Sequence, residues 1–164
     1  MEEKIVKEII IPKEEYLEFN VETNKPLNVY KQNYKIFANL LNIKRKAHKI
    51  KDLRFDATDN SFFIRIDVVD TFDETKFFKT SYIIENIFSG VMTKDEKKPI
   101  NIKLRARLIL EATISDENKI VFLLKKLAFR LYYILFYEKV FEDRRKRLEE
   151  TLEKLKNEFI RILT

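Results

Sequence analysis

A seven-residue repeat of apolar side chains near the C-terminus constrains this fold more than any other feature of the sequence. A companion position four residues later is apolar at Leu131, Leu152 and Phe159, and Glu138 and Arg145 interrupt it. The repeat itself consists of Leu127, Ile134, Phe141, Leu148, Leu155 and Ile162. This spacing predicts one long C-terminal helix, and its apolar seam exceeds what packing on one small sheet requires.

The last part of this helix is predicted to reach beyond the domain and to pair with a helix of another chain. Residues 1–147 are therefore expected to form a single domain, and residues 148–164 an oligomerisation segment. The expected interface consists of the apolar positions of that segment, namely Leu148, Leu152, Leu155, Phe159 and Ile162. The protein is accordingly expected to be a homo-oligomer.

Ahead of the helix, apolar and polar residues alternate with a period of two, which is typical of strands with one wet face. The alternation is clearest at residues 102–114, where Lys103, Arg105 and Arg107 stand opposite an apolar row. Residues 1–50 are predicted to supply two strands and a helix at 27–43, and residues 51–126 an antiparallel sheet. The predicted fold class is α+β: an antiparallel sheet or small β-barrel with one N-terminal helix and a long C-terminal helix. Residues 119–124 fit either a further strand or the start of that last helix.

The residue types that support common catalytic sites are scarce. The chain has no cysteine, a single glycine, Gly90, and a single histidine, His48. Disulfides, thiolate metal sites and glycine-rich phosphate loops are thereby excluded. His48 lies in a basic run, where we expect a solvated imidazole. We expect no catalytic residues, no metal and no cofactor.

The most apolar stretch, residues 120–141, is a poor candidate for a membrane span. Lys125, Lys126 and Arg130 interrupt it, and a spanning helix would have to bury their charges. Met1 is followed by acidic and basic residues instead of an apolar signal segment. We expect a cytoplasmic protein.

Two clusters of basic residues remain as candidate binding surfaces. Residues 144–147 form one, but acidic residues flank them at helical spacing, which favours a solvent face with internal ion pairs. The other has Asp52 as its one acidic residue and consists of Lys44, Arg45, Lys46, Lys49, Lys51 and Arg54. It fits a solvated linker, or a surface for a phosphate, a nucleotide or an acidic partner.

Residues 54–148 resemble a degenerate PilZ domain, a small β-barrel family in which many members bind cyclic di-GMP. Arg54 stands where the family has its arginine motif, and Asn86 stands at the start of its second motif. The resemblance implies a cyclic dinucleotide as ligand, with Lys44, Arg45, Lys49, Lys51, Arg54 and Asn86 as the candidate ligand-binding residues. Only one arginine of the first motif is present, and Ser89 and Gly90 are out of register. Members lacking these motifs are thought to act through protein contacts.

The sequence thus predicts a non-enzymatic interaction or adaptor module that self-associates through its C-terminal helix. A binder of hydrophobic ligands or unfolded chains is a first alternative, because aromatic residues surround the helix at 129–137. Proteins with a sheet under a long C-terminal helix that hold lipids are similar in architecture. A nucleic-acid-binding protein using the basic patch at Lys44–Lys46 is a second alternative.

Overall fold

The computed structural model describes residues 1–43, 47–74 and 78–164, and for residues 72–74 it describes only the backbone. Lys44, Arg45 and Lys46 therefore lie outside the described residues. The elements follow in chain order as β1 (Glu2–Ile11), β2 (Leu17–Thr23), α1 (Asn28–Leu41), β3 (His48–Asp56), β4 (Ser61–Glu74), β5 (Phe78–Val91), β6 (Lys98–Ser115), α2 (Lys119–Tyr132), a π-helical turn (Tyr133–Tyr137) and α3 (Glu138–Leu163). The last three are continuous, so one helix runs from Lys119 to Leu163.

The strands form an open antiparallel sheet in the order β1-β6-β5-β4-β3. β6 is its longest strand and has two partners along one side, β1 on residues 106–115 and β2 on residues 98–104. β5 lies on its other side. The predicted α+β class with an antiparallel sheet, one N-terminal helix and a long C-terminal helix is confirmed, as a sheet and not as a closed barrel.

One face of the sheet is the core. In β6 every second residue from Ile100 to Ile114 is buried, and Lys103, Arg105 and Arg107 point the other way. The same side of β4 buries Ile64 and Ile66. The predicted alternation is confirmed, because side chains of a strand point to opposite faces whatever packs against them.

α3 covers this inner face together with α1. The rings of Phe88 in β5 and Phe159 in α3 meet edge to face at 5.2 Å. Asn28, at the start of α1, donates a hydrogen bond to the Ile162 carbonyl at 3.2 Å. The inward side of α1 consists of Val29, Asn33, Ile36 and Phe37, whereas Tyr30 on the other side is exposed.

The residues predicted to form the oligomer interface are part of this intramolecular core. Leu148, Leu152, Leu155 and Phe159 are at most 4% exposed. Ile162 is partly buried against the same core. The predicted placement of the interface is therefore corrected: the seam at 148–164 packs on the chain's own sheet and α1.

The interpretation as a solvated linker is corrected for residues 48–54, and the prediction of a solvated imidazole is corrected for His48. Residues 48–56 form β3, a strand at the margin of the sheet. His48 is half-buried, with Nδ1 3.0 Å from Oδ1 of Asn33 and its ring 5.3 Å from that of Phe37. Residues 119–124 begin α2, which settles the choice left open between strand and helix.

Removing residues 148–164 is expected to unfold the domain instead of releasing a folded monomer. Burial of one Leu or Phe side chain contributes about 1.5–3 kcal/mol. Loss of five buried ones (Leu148, Leu152, Leu155, Phe159 and Leu163) therefore approaches the about 5–15 kcal/mol that stabilises a typical domain. Circular dichroism of residues 1–147 should show no cooperative thermal transition. A cooperative transition with a strand-rich spectrum would contradict this placement of α3.

His48 is expected to make stability depend on pH near neutrality. Burial lowers the pKa of His48 below its ordinary value of 6.5. Below pH 6.5 the unfolded chain therefore binds a proton that the native chain resists, so the unfolding free energy falls as the pH drops through the native pKa. Above pH 6.5 this contribution is fully present.

Two measurements test the expected pKa of His48 and its effect on stability. NMR titration of this sole imidazole should give a native pKa below 6.5. Urea unfolding should show a larger loss of stability between pH 7.5 and pH 5.5 in the parent than in His48→Gln. An imidazole that titrates at or above 6.5 would contradict the burial.

Candidate functional site

The helix that follows β6 begins at a well-defined cap. Oδ1 of Asn118 accepts hydrogen bonds from the backbone N–H groups of Ile120 and Val121, at 2.9 and 3.3 Å. The Asp116 carboxylate accepts from the backbone N–H of Asn118 at 2.9 Å. These bonds satisfy N–H groups that have no partner inside the helix. The start of α2 is thereby held close to the end of β6.

α2 is apolar on two opposite sides. Phe122 is buried, and Phe129 packs partly against the core. With about 100° between successive residues, these two lie on the side of the helix that faces the protein. The opposite side is apolar as well. A surface helix of a globular protein normally has one apolar stripe, so the outward side of α2 is unusual for a surface exposed to water.

We define the outward apolar residues as the α2 seam: Ile120, Leu124, Leu127, Leu131 and Ile134. They follow one another at intervals of four, three, four and three residues and fall within an arc of about 80°. Their exposed fractions lie between 49% and 71%. Leu123 and Leu135 widen the arc on either side and are also exposed. This spacing is that of a helix whose seam contacts another helix.

The concentration of exposed apolar side chains here is high. Of the nineteen large hydrophobic residues that are exposed in the described part of the chain, eleven lie between Ile120 and Val140. A contiguous exposed apolar patch belongs to an interaction surface more often than the rest of a protein surface does. This side of α2 is therefore the candidate functional site.

The π-helical turn separates the exposed α2 seam from the buried apolar residues of α3. Its i→i+5 hydrogen bonds include about one residue more than an α-helical turn does. This extra residue rotates all later side chains by about 100° around the helix axis. Leu127 and Ile134 thus face solvent, whereas Phe141, seven residues further on, is buried. Tyr137 anchors the turn through a 2.7 Å hydrogen bond that its hydroxyl shares with Thr80. Tyr133 packs under the Lys7 ammonium, which lies 3.9 Å from the ring centroid.

The charges on α2 are all positive. Residues 118–137 contain no Asp or Glu, and they include Lys119, Lys125, Lys126 and Arg130. Lys125 pairs with Asp116 at 2.8 Å, and Lys126 pairs with Glu3 at 2.7 Å. Two of the four charges are therefore neutralised within the chain.

The candidate ligand residues that the structure describes do not all converge on one site. Lys49, Lys51 and Arg54 lie on β3, and Lys44 and Arg45 are outside the described residues. Asn86 is fully buried in β5, where its Nδ2 donates to the carbonyls of Ile66 and Ile84 at 3.1 and 3.2 Å.

The register of the strands places Arg54 and Asn86 on opposite faces of the sheet. Arg54 is opposite Phe63, on the outer face, and Asn86 is opposite Ile66, on the inner face. Arg54 also pairs with Asp52 at 2.8 Å and covers the ring of Phe63 at 4.5 Å. A small ligand cannot contact both side chains without crossing the sheet.

The basic row on the outer face of β6 is neutralised by acidic residues of the same chain. Glu85, almost fully buried, accepts hydrogen bonds from Arg65 at 2.8 Å and from Arg105 at 2.7 Å. Hydrogen bonds to Asp67 raise the pKa of Arg65, and the bond to Glu85 raises the pKa of Arg105. Arg107 pairs with Glu8 at 3.3 Å. This row therefore does not extend the basic cluster of β3 into a patch for nucleic acid.

Two open clefts lie at the margins of the sheet and not between the sheet and α3. One, of about 740 Å³, is lined by the start of α1 and by residues 92–96. The other, of about 820 Å³, is lined by Leu53–Thr58 and Ser61–Phe63. Neither is enclosed by apolar side chains in the way a lipid-holding cavity would be.

Two other kinds of site are absent from the described residues. No group of three or more His, Asp or Glu side chains is placed to hold a metal ion in residues 1–43, 47–74 and 78–164. Within that same part of the chain, no helix combines the length and the hydropathy that a bilayer span requires.

Comparison with known proteins adds no family. No family model matches the chain. No curated protein matches it either. Among solved structures, a delta-endotoxin chain aligns with a TM-score of 0.30 and 12% sequence identity, over 70% of this chain and 64% of the endotoxin chain. A likeness at this level carries no argument about fold or function.

Proposed function

We propose that this protein is a non-enzymatic interaction module that self-associates through the α2 seam. The observation that carries the proposal is the seam itself, five apolar side chains at coiled-coil spacing on the solvent side of α2. Each is about half exposed or more in the isolated chain. A second copy of the same helix would bury these side chains and offer apolar positions at matching intervals. The C-terminal helix would then serve two purposes, with α3 as core and α2 as interface.

A second copy fits the charges better than an anionic lipid surface does. Attraction to anionic lipid requires free cations beside the apolar side. Lys125 and Lys126 are paired with Asp116 and Glu3. Among the described residues, Lys119 and Arg130 are the cations of α2 without an ion pair. With half of the positive charge already neutralised, two α2 helices repel one another less than the sequence suggests.

A second copy also fits the shape of the surface better than a small hydrophobic ligand does. Sites for such ligands are concave and bury most of the ligand surface. The seam lies on the convex outside of a helix, and the clefts described above are elsewhere. A flat or grooved apolar surface, such as that of another helix, is the complement of a convex apolar stripe.

Changing Leu127 and Leu131 to Glu is expected to convert the associated protein into a monomer. The two leucines lie in the middle of the seam, and each buried leucine contributes about 1.5–3 kcal/mol, so the dissociation constant should rise by about 100-fold or more. Light scattering across a concentration series should give a multiple of the 19.9 kDa chain mass for the parent and the chain mass for the variant. Because both side chains are exposed, the circular dichroism spectrum of the variant should match that of the parent.

The matched control replaces two exposed apolar residues elsewhere, Leu53 and Phe55 of β3, with Glu. This control should keep the mass of the parent. A parent that is monomeric at every concentration would overturn self-association. Monomeric parent protein that sediments with anionic vesicles would assign the α2 seam to a membrane surface instead.

A further inference from the structure

A second, separate surface lies at the opposite margin of the sheet. Among the described residues β3 pairs only with β4, so its other side presents backbone N–H and C=O groups without a strand partner. A regular edge of this kind is a template for one more strand. The register shifts between Ile50 and Asp52, which confines the regular part of the edge to residues 53–56 and to the short stretch before Lys51.

The inner face of β3 is apolar and uncovered. Ile50, Leu53 and Phe55 stand opposite the core residues Ile66, Ile64 and Phe62, so they belong to the face that α1 and α3 cover elsewhere. Their exposed fractions nevertheless lie between 52% and 60%. A strand added beside β3 would place every second side chain on this apolar row, which is how strand addition acquires specificity.

The charges of β3 indicate which kind of peptide strand would bind at this edge. β3 contains three cationic side chains, Lys49, Lys51 and Arg54, and two acidic ones, Asp52 and Asp56. Asp56 lies at the end of the strand, where its carboxylate accepts a hydrogen bond from the backbone N–H of Thr58 at 2.8 Å. Arg54 is paired with Asp52 at 2.8 Å. Lys49 and Lys51 have no ion pair among the described residues. The two unpaired lysines favour an acidic strand over a second copy of β3, which would bring two more unpaired lysines to the same edge.

We propose that the free edge of β3 binds an extended acidic peptide segment by strand addition, with alternate apolar side chains of the peptide on Ile50, Leu53 and Phe55. Acidic side chains of the peptide then face Lys49. Those near the register shift between Ile50 and Asp52 face Lys51. Lys49 and Lys51 have a role in this arrangement that they would not need in a solvated linker. The surface is distinct from the α2 seam and does not depend on self-association.

The probe for this site is a fluorescent eight-residue peptide that alternates Glu with Val or Ile. Fluorescence anisotropy should show saturable binding to the full chain. Two N-methylated versions, each blocking one side of the peptide backbone, separate strand addition from charge attraction. One should bind as the parent peptide does, and the other at least tenfold more weakly, because an added strand hydrogen-bonds through one side only. An octaglutamate should bind at least tenfold more weakly than the alternating peptide.

Variants of the protein complete the test. Lys49→Glu with Lys51→Glu, and separately Leu53→Glu with Phe55→Glu, should each weaken binding at least tenfold. Two controls should leave it unchanged: Lys146→Glu with Lys154→Glu, exposed on α3, and Leu127→Glu with Leu131→Glu in the α2 seam. Absence of binding, equal binding of both N-methylated peptides and of octaglutamate, or no effect of the β3 variants would overturn the proposal. Salt-sensitive binding of a DNA duplex that the Lys49/Lys51 variant abolishes, without peptide binding, would assign the margin to nucleic acid instead.

Discussion

Burial of the inner face of β6 is the interaction on which the rest of this structure depends. β6 hydrogen-bonds to three other strands, and each of its inward side chains from Ile100 to Ile114 is buried. An open sheet with a continuous apolar face is stable only when another layer covers that face. α3 supplies most of this layer, with Phe159 against Phe88 and Leu155 fully buried. The C-terminal helix is thus primarily a part of the core.

The same constraint explains why α2 is left with an apolar outer side. α3 has 26 residues and is about 39 Å long, enough to cross the sheet. α2 and the π-helical turn form the part of the helix that connects the end of β6 to α3. There the helix needs only a narrow inward stripe, formed by Phe122, Phe129 and Tyr133. The outward apolar residues of α2 are therefore unnecessary for the fold of one chain, which is why an intermolecular role accounts for them.

The alternation of buried and exposed residues in the strands could be predicted from the sequence, because it depends only on the geometry of an extended chain. Alternation predicted the buried and exposed sides of β6. The seven-residue repeat predicted the long helix for the same reason, but not which part of it is buried. That assignment assumes an uninterrupted α-helix, and the π-helical turn, held by the Tyr137–Thr80 hydrogen bond, breaks the assumption. A turn of this kind depends on a tertiary contact that no local spacing reveals.

The residues of β3 were misjudged for a similar reason, and the burial of Asn33 in α1 could not be predicted from the sequence either. An edge strand of a sheet carries lysines because charged side chains discourage unwanted pairing, so its composition is similar to that of a solvated linker. Asn33 is buried in α1 because Nδ1 of His48 lies 3.0 Å from its side-chain oxygen Oδ1. The two residues are fifteen positions apart in the sequence. Propensity alone places an asparagine outside, and the partner that permits its burial is visible only in three dimensions.

The two proposed surfaces are placed so that both can be occupied at once. Lys126 of α2 pairs with Glu3 of β1, so α2 lies near the β1 margin of the sheet, whereas β3 closes the other margin. Four strand spacings of about 4.8 Å separate β1 from β3, a distance of about 19 Å across the sheet. A second copy on the α2 seam would therefore leave the edge of β3 open. Self-association would then present two or more β3 edges in one particle, which raises the avidity for a partner that carries repeated acidic segments.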